Sequence, residues 1–173
     1  MHGETDVRYN PAERRKQARR SGAERRDEEG WQSVPLDPVP AMAIGGEGDL
    51  LAAAVDARTR AHARYSRFKV GAALETVDRV IVTGCNIENA TYGLTVCAER
   101  VALLKALSEG HEIFTRIVVV ADTESPTPPC GACRQLLWEY CGDIDVILAN
   151  PGGVTERYRL AALLPLPFDR RFL

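Results

Sequence analysis

The sequence predicts an α/β domain built on a single mixed sheet of about five strands with helices packed on it. Three observations predict it. From residue 46 onward, helix-like and strand-like segments follow one another in the order α-β-β-α-β-α-β-β. The run Ile117-Val118-Val119-Val120-Ala121 is continuously apolar, as in a strand covered on both faces. Turn-forming residues separate the segments, most clearly Gly110 and Asn150-Pro151-Gly152-Gly153.

Each element has its own signal. Asp49 to Arg64 places Leu50, Leu51, Ala54, Val55, Ala57 and Ala61 on one helical face, with Asp49 as N-cap. Phe68 to Leu74 and Val80 to Thr83 are β-rich runs around a turn at Asp78, which predicts a hairpin. Cys97 to Glu109 is a second helix, stopped by Gly110. Gly131 to Tyr140 is a third, and Asp145 to Ala149 and Val154 to Leu160 are two more strands. The chain has no internal repeat.

Composition narrows the function classes. The 173 residues hold 22 Lys plus Arg against 24 Asp plus Glu, a net charge of −2, which argues against a general nucleic-acid binder. A hydrophobic fraction of 45% excludes a wholly disordered chain. No run approaches the roughly 18 apolar residues of a membrane helix, and the first residues carry no apolar h-region. Five cysteines, an odd number, without an export signal point to the cytoplasm and to metal or catalytic roles. The charge is unevenly spread. Residues 1–45 carry eight basic and eight acidic groups, with few large apolar residues before Trp31 and a linker of Pro35, Pro38 and Pro40. They are expected to form a disordered, solvated tail, with the folded domain at 46–173. The methionines are Met1 and Met42, and Met42 is expected to be the natural start.

Three cysteines stand where a metal site needs them. Cys97 opens the second helix, and Cys130 and Cys133 form a C-x-x-C at the start of the third. Helix N-termini offer unpaired N–H groups and partial positive charge, which favour thiolates. Three thiolates suit zinc and leave a fourth position open, as in a catalytic rather than a structural site. Glu99, on the same first turn as Cys97, is placed to move protons without being a ligand. Cys85 and Cys141 fit no ligand motif and are read as inert core residues. His62 and His111 are read as surface or helix-terminal residues rather than ligands.

The pairing of Cys97-Ala98-Glu99-Arg100 with Pro129-Cys130-Gly131-Ala132-Cys133-Arg134-Gln135 resembles the zinc-dependent nucleoside deaminases. Cysteine rather than histidine as the first ligand resembles, within them, the small homotetrameric cytidine deaminases. Tyr65 to Ala73, Gly84 to Ala90, and Leu163-Leu164-Pro165 followed by Phe168 are similar to further segments of that family, in the same order. The resemblance spans about Leu50 to Phe168.

It implies a three-layer α-β-α fold and hydrolytic deamination of cytidine and 2′-deoxycytidine, a pyrimidine-salvage activity. It implies one zinc per subunit on Cys97, Cys130 and Cys133, with Arg100 donating to the sulfurs. Water would attack C4 of cytosine while Glu99 carries protons to N3 and to the leaving amine. The N–H groups of Ala98 and Glu99 would hold the base carbonyl, and the carbonyl before Pro129 the exocyclic amine. Phe68 would pack on base or sugar, and Asn86 and Glu88 would bind the ribose 3′-hydroxyl. Tyr92 and Phe168 would complete a neighbouring subunit's site in a homotetramer. A blasticidin S deaminase is the second reading and a zinc-stabilised RNA-interaction module the third. Asn86-Ile87-Glu88-Asn89 and Phe168 favour the nucleoside enzymes, and Glu99 with no fourth ligand argues against the module. Cys97 argues against dCMP and tRNA deaminases, which keep histidine.

Overall fold

The computed structural model describes residues 46–173. The expectations about the tail and about Met42 lie outside the described residues. Helix α1 (Glu47–Thr59) is followed by the hairpin of β1 (Val70–Thr76) and β2 (Ile81–Cys85), then α2 (Ala98–Ser108), β3 (Phe114–Ala121) and α3 (Gly131–Cys141). Strands β4 (Asp145–Ala149) and β5 (Thr155–Arg159) and the one-turn helix α4 (Leu160–Leu163) complete the order. The sheet runs β2-β1-β3-β4-β5 and is mixed: β3 and β4 are parallel, and the other pairs antiparallel.

Strand alternation divides the core into two layers. Ala72, Leu74, Ile117, Val119, Val146 and Leu148 face α2 and α3, where Ala98, Leu103 and Leu137 close over them. Ala73, Val118, Val120, Ile147 and Ala149 face the other way, against Leu50 and Ala54 of α1. The result is the expected α-β-α stack. Two glycines set how closely helices lie on it. A Cβ on Gly71 would come 2.1 Å from the Ala54 carbonyl oxygen of α1. One on Gly84 would come 2.4 Å from both the Ala98 oxygen and the Ala102 nitrogen of α2.

Several boundaries differ from the sequence expectation. The first helix is capped by Gly46 at φ 112, and Asp49 lies inside its first turn. It ends at Thr59 rather than Arg64, because the chain beyond bonds across to residues 86–88. The His62 N–H donates to the Asn86 carbonyl (2.9 Å) and the Glu88 N–H to the His62 carbonyl (3.0 Å). Strand β1 begins at Val70, not Phe68, since the Phe68 backbone is bonded by the side chains of Ser66 and Asn86 instead of a neighbouring strand. Leu160, expected to end the last strand, begins α4, where Leu164 donates back to its carbonyl at 2.9 Å. Cys97 is the N-cap of α2 rather than its first residue, whereas α3 begins at Gly131 as expected, with Cys130 as its N-cap.

Candidate active site and metal centre

The packing that brings α2 and α3 side by side on one sheet face also brings their N-termini together. The sulfurs of Cys97, Cys130 and Cys133 all lie within 4.8 Å of one another, and those of Cys130 and Cys133 are 3.4 Å apart. Sulfurs on a tetrahedral zinc at about 2.3 Å each stand roughly 3.8 Å apart, so the cluster fits that ion with small adjustments. The charge at the cluster fits too. The Cys133 thiol donates to Cys97, which, with the Arg100 guanidinium nearby, pulls the Cys97 thiol down to about 5 despite burial. Cys133, fully buried, is pushed up in return. Arg100 is anchored by Nη2 to the Thr95 carbonyl at 2.8 Å and lies 3.9 Å from the Cys97 sulfur.

Glu99 is 4% exposed, at the second position of α2. Burial raises its carboxyl above the ordinary range, opposed by its own backbone N–H, and the Cys97 charge raises it further. A carboxyl so placed holds its proton more firmly than a free one and suits a group that must take up and release it.

A cleft of about 260 Å³ opens over these groups. Its floor is Cys97, Ala98, Glu99 and Cys130. Phe68, Asn86 and Glu88 form one side, and Thr127 and Pro128 the other. The ends of β1 and β3 contribute Val70, Val119 and Ala121. Seven of the residues read from the sequence therefore meet in one place. Tyr92 and Phe168 do not line it. Tyr92, 80% exposed, flanks an adjoining surface pocket with Tyr65 and Glu88. Phe168 stacks on Phe172 with ring centres 5.8 Å apart, its backbone held by the Gln135 amide of α3.

The polar side of the cleft is more internally bonded than the sequence suggests. Asn86, 8% exposed, accepts from the Val70 N–H (2.8 Å) and donates to the Phe68 carbonyl (2.9 Å), so one acceptor site and one N–H remain. Glu88 accepts from the Tyr65 N–H at 2.7 Å and from the hydroxyl and N–H of Ser66. The Ser66 hydroxyl, first among these donors, holds the Glu88 carboxyl below its usual range. Sequence reasoning passed over Ser66 and Thr127; their positions beside Phe68 and before Pro128-Pro129 were the available signal. Cys141 is half-buried against the core, and burial pushes its thiol up to about 12. His62 is exposed and is not part of the sulfur cluster.

Residues 47–149 match the family described as the cytidine and deoxycytidylate deaminase zinc-binding region. A cytidine deaminase of Halalkalibacterium halodurans is 52% identical over 120 residues, covering 69% of this chain and 91% of the relative. The crystal structure of cytidine deaminase from Burkholderia pseudomallei superposes with a TM-score of 0.69 at 46% identity, covering 70% of this chain and 98% of that one. A blasticidin-S deaminase of Bacillus cereus is more distant, 32% identical over 113 residues, or 61% of this chain and 80% of the relative.

Proposed function

This chain belongs to the zinc-dependent cytidine deaminase family, and on that premise we propose the site chemistry by which it hydrolyses cytidine and 2′-deoxycytidine. The products are ammonia and uridine or 2′-deoxyuridine. The observation that carries the reading is the buried Glu99 carboxyl beside three converging thiols at the floor of one cleft. The second reading, blasticidin S, is not favoured, since the likeness on that side is weaker in both identity and coverage.

Zinc, held by Cys97, Cys130 and Cys133, supplies the Lewis acidity that makes water a nucleophile near neutral pH. The rest belongs to the chain. Glu99 takes a proton from the attacking water and delivers it to ring N3 of cytosine. It then takes the proton of the new C4 hydroxyl, which becomes the carbonyl of the product, and passes it to the amine, which leaves C4 as ammonia. The unpaired N–H of Ala98, at the start of α2, holds the base carbonyl, and the Pro128 carbonyl receives the exocyclic amine. Phe68 packs on base or sugar, while Asn86 and Glu88 take the ribose 3′-hydroxyl with the bonding capacity they have left. Arg100 draws charge from the Cys97 sulfur.

Residues 46–173 carry all of this chemistry, within a homotetramer. Tyr92 and Phe168 support that assembly, because both are large, exposed and outside the cleft of their own chain. A nucleoside-salvage role in the cytoplasm completes the reading; no helix among the described residues is long and apolar enough to cross a membrane.

The test is ammonia release from cytidine, 2′-deoxycytidine, CMP and blasticidin S, by the native chain and by Glu99→Ala. The nucleosides should turn over fastest. Glu99→Ala should keep its zinc and lose about 10²–10⁴-fold in kcat. Native-like turnover in that variant would remove Glu99 from the mechanism, and faster turnover of blasticidin S than of cytidine would reverse the substrate assignment.

A further inference from the structure

Three walls of the cleft meet at one hydroxyl that belongs to none of the metal-site motifs. The Ser66 Oγ donates to Glu88 and accepts from the Phe68 N–H at 2.9 Å. The Phe68 carbonyl is held at 2.9 Å by Asn86. Both backbone groups of Phe68 are therefore bonded by side chains that line the same cleft as its ring. Between Ser66 and Phe68 stands Arg67 at φ 61, a left-handed conformation that side-chain-bearing residues seldom adopt. Such local strain persists only where surrounding bonds enforce it, and it gathers at functional sites. Here it turns the chain so that Ser66 faces Glu88 while Phe68 enters the cleft wall.

We infer that Ser66 is a positioning residue: it aims the Glu88 carboxylate at the substrate sugar and sets affinity for the nucleoside rather than the rate of its deamination. This deepens, and rests on, the reading of Glu88 as the contact of the ribose 3′-hydroxyl. A carboxylate offers about four lone-pair sites. The Tyr65 N–H, the Ser66 N–H and the Ser66 hydroxyl occupy three of them and leave one for a sugar hydroxyl. The Tyr65 N–H holds Oε2 at 2.7 Å, the Ser66 N–H is shared between Oε2 and Oε1 at 3.3 and 3.4 Å, and the Ser66 hydroxyl adds the principal bond at Oε1, which limits rotation. Without that hydroxyl, Glu88 keeps its charge but loses its aim, and the Phe68 N–H loses its acceptor.

Steady-state kinetics of the zinc-loaded full chain on cytidine and 3′-deoxycytidine test this. Ser66→Ala should raise KM for cytidine roughly tenfold, the loss of one hydrogen bond to a charged group, with kcat changed by less than about threefold. Ser66→Cys, similar in shape with a weak donor, should behave the same way. Ser66→Thr, which keeps the hydroxyl on an exposed residue, should restore KM. The rise should disappear on 3′-deoxycytidine and in the Glu88→Ala background. An unchanged KM in both the Ala and Cys variants, a fall in kcat alone, or a rise undiminished in Glu88→Ala overturns the inference and leaves Glu88 as the sugar contact. An unchanged KM in Glu88→Ala itself removes the sugar reading of Glu88, and this inference with it.

Discussion

A residue's type and its neighbours in sequence reveal a role when the chemistry admits few residue types, and less when many can serve. Three cysteines on two helix starts, with a glutamate two positions on, were legible because few functions other than metal chemistry need that combination. Asn86 was legible only in part. Its place in the cleft follows from the sequence pattern, but much of its amide is taken up in bonding the backbone of Phe68 and Val70. Ser66 was missed because a serine in a loop is chemically ordinary until its partners are known. The metal ligands give the prediction proper to this scale. Cys130 is both the N-cap of α3 and one corner of the sulfur cluster. Cys130→Ala should bind zinc far more weakly and melt at a lower temperature than the native holo chain, since metal binding is also folding energy. Metal analysis with calorimetry checks this; full zinc retention would take Cys130 out of the ligand set.

Elements were legible where period and burial agree. The alternation of Ala72 and Leu74 against Ala73, and of Val119 against Val118 and Val120, can be read directly as two faces of one sheet. Boundaries were less legible because tertiary bonds decide them. The first helix ends five residues early since residue 62 makes backbone bonds to residues 86 and 88, a pairing no local pattern contains. Nor does sequence say which helix touches which glycine. Gly84 is the point at which α2, carrying Cys97 and Glu99 at its start, rests on β2. Gly84→Ala puts a methyl 2.4 Å from backbone atoms of Ala98 and Ala102, so helix and strand must part. The cost should be about 1–3 kcal/mol or somewhat more, as for other overpacked interiors. Because the shift falls on the first turn of α2, kcat should drop as well. Denaturant unfolding with parallel kinetics tests this, and native-like values in both would mean that the close approach is relieved elsewhere at little cost.

On the scale of the whole molecule, the chemistry and the buried Glu75–Arg116 network occupy opposite ends of the sheet. Val70, at the start of β1, lines the cleft, whereas Glu75, near its end, is about 17 Å away along an extended strand. There Glu75, 3% exposed, meets Arg116, 5% exposed, through two bonds of 2.7 and 3.0 Å, with the Thr115 hydroxyl at 2.9 Å. Glu47 of α1 bonds Arg157 of β5 and lies 3.8 Å from Arg116. Arg157 and Arg159 in turn share Asp145 at the start of β4. The network thus ties α1 and four strands together on the side remote from substrate. Burial alone would raise the Glu75 carboxyl, but the bonds from Arg116 and Thr115 outweigh it and hold the pKa below the ordinary 4.5. A carboxylate lowered on folding adds stability above its unfolded pKa and loses it as pH falls toward the folded value. The native chain should therefore lose stability as pH drops below about 4.5, and Glu75→Gln should lose less over the same interval. At neutral pH the variant should be weaker by about 1–3 kcal/mol, the scale of hydrogen bonds to a charged group, with Glu47 still 3.8 Å from Arg116. KM for cytidine should stay at the native value, since the substituted group lies at the far end of the strand from the cleft. Denaturant unfolding of both chains between pH 7 and 3.5 measures the difference. Parallel acid profiles would show that other carboxylates carry the acid dependence, and a changed KM would show that the two ends of the sheet are coupled.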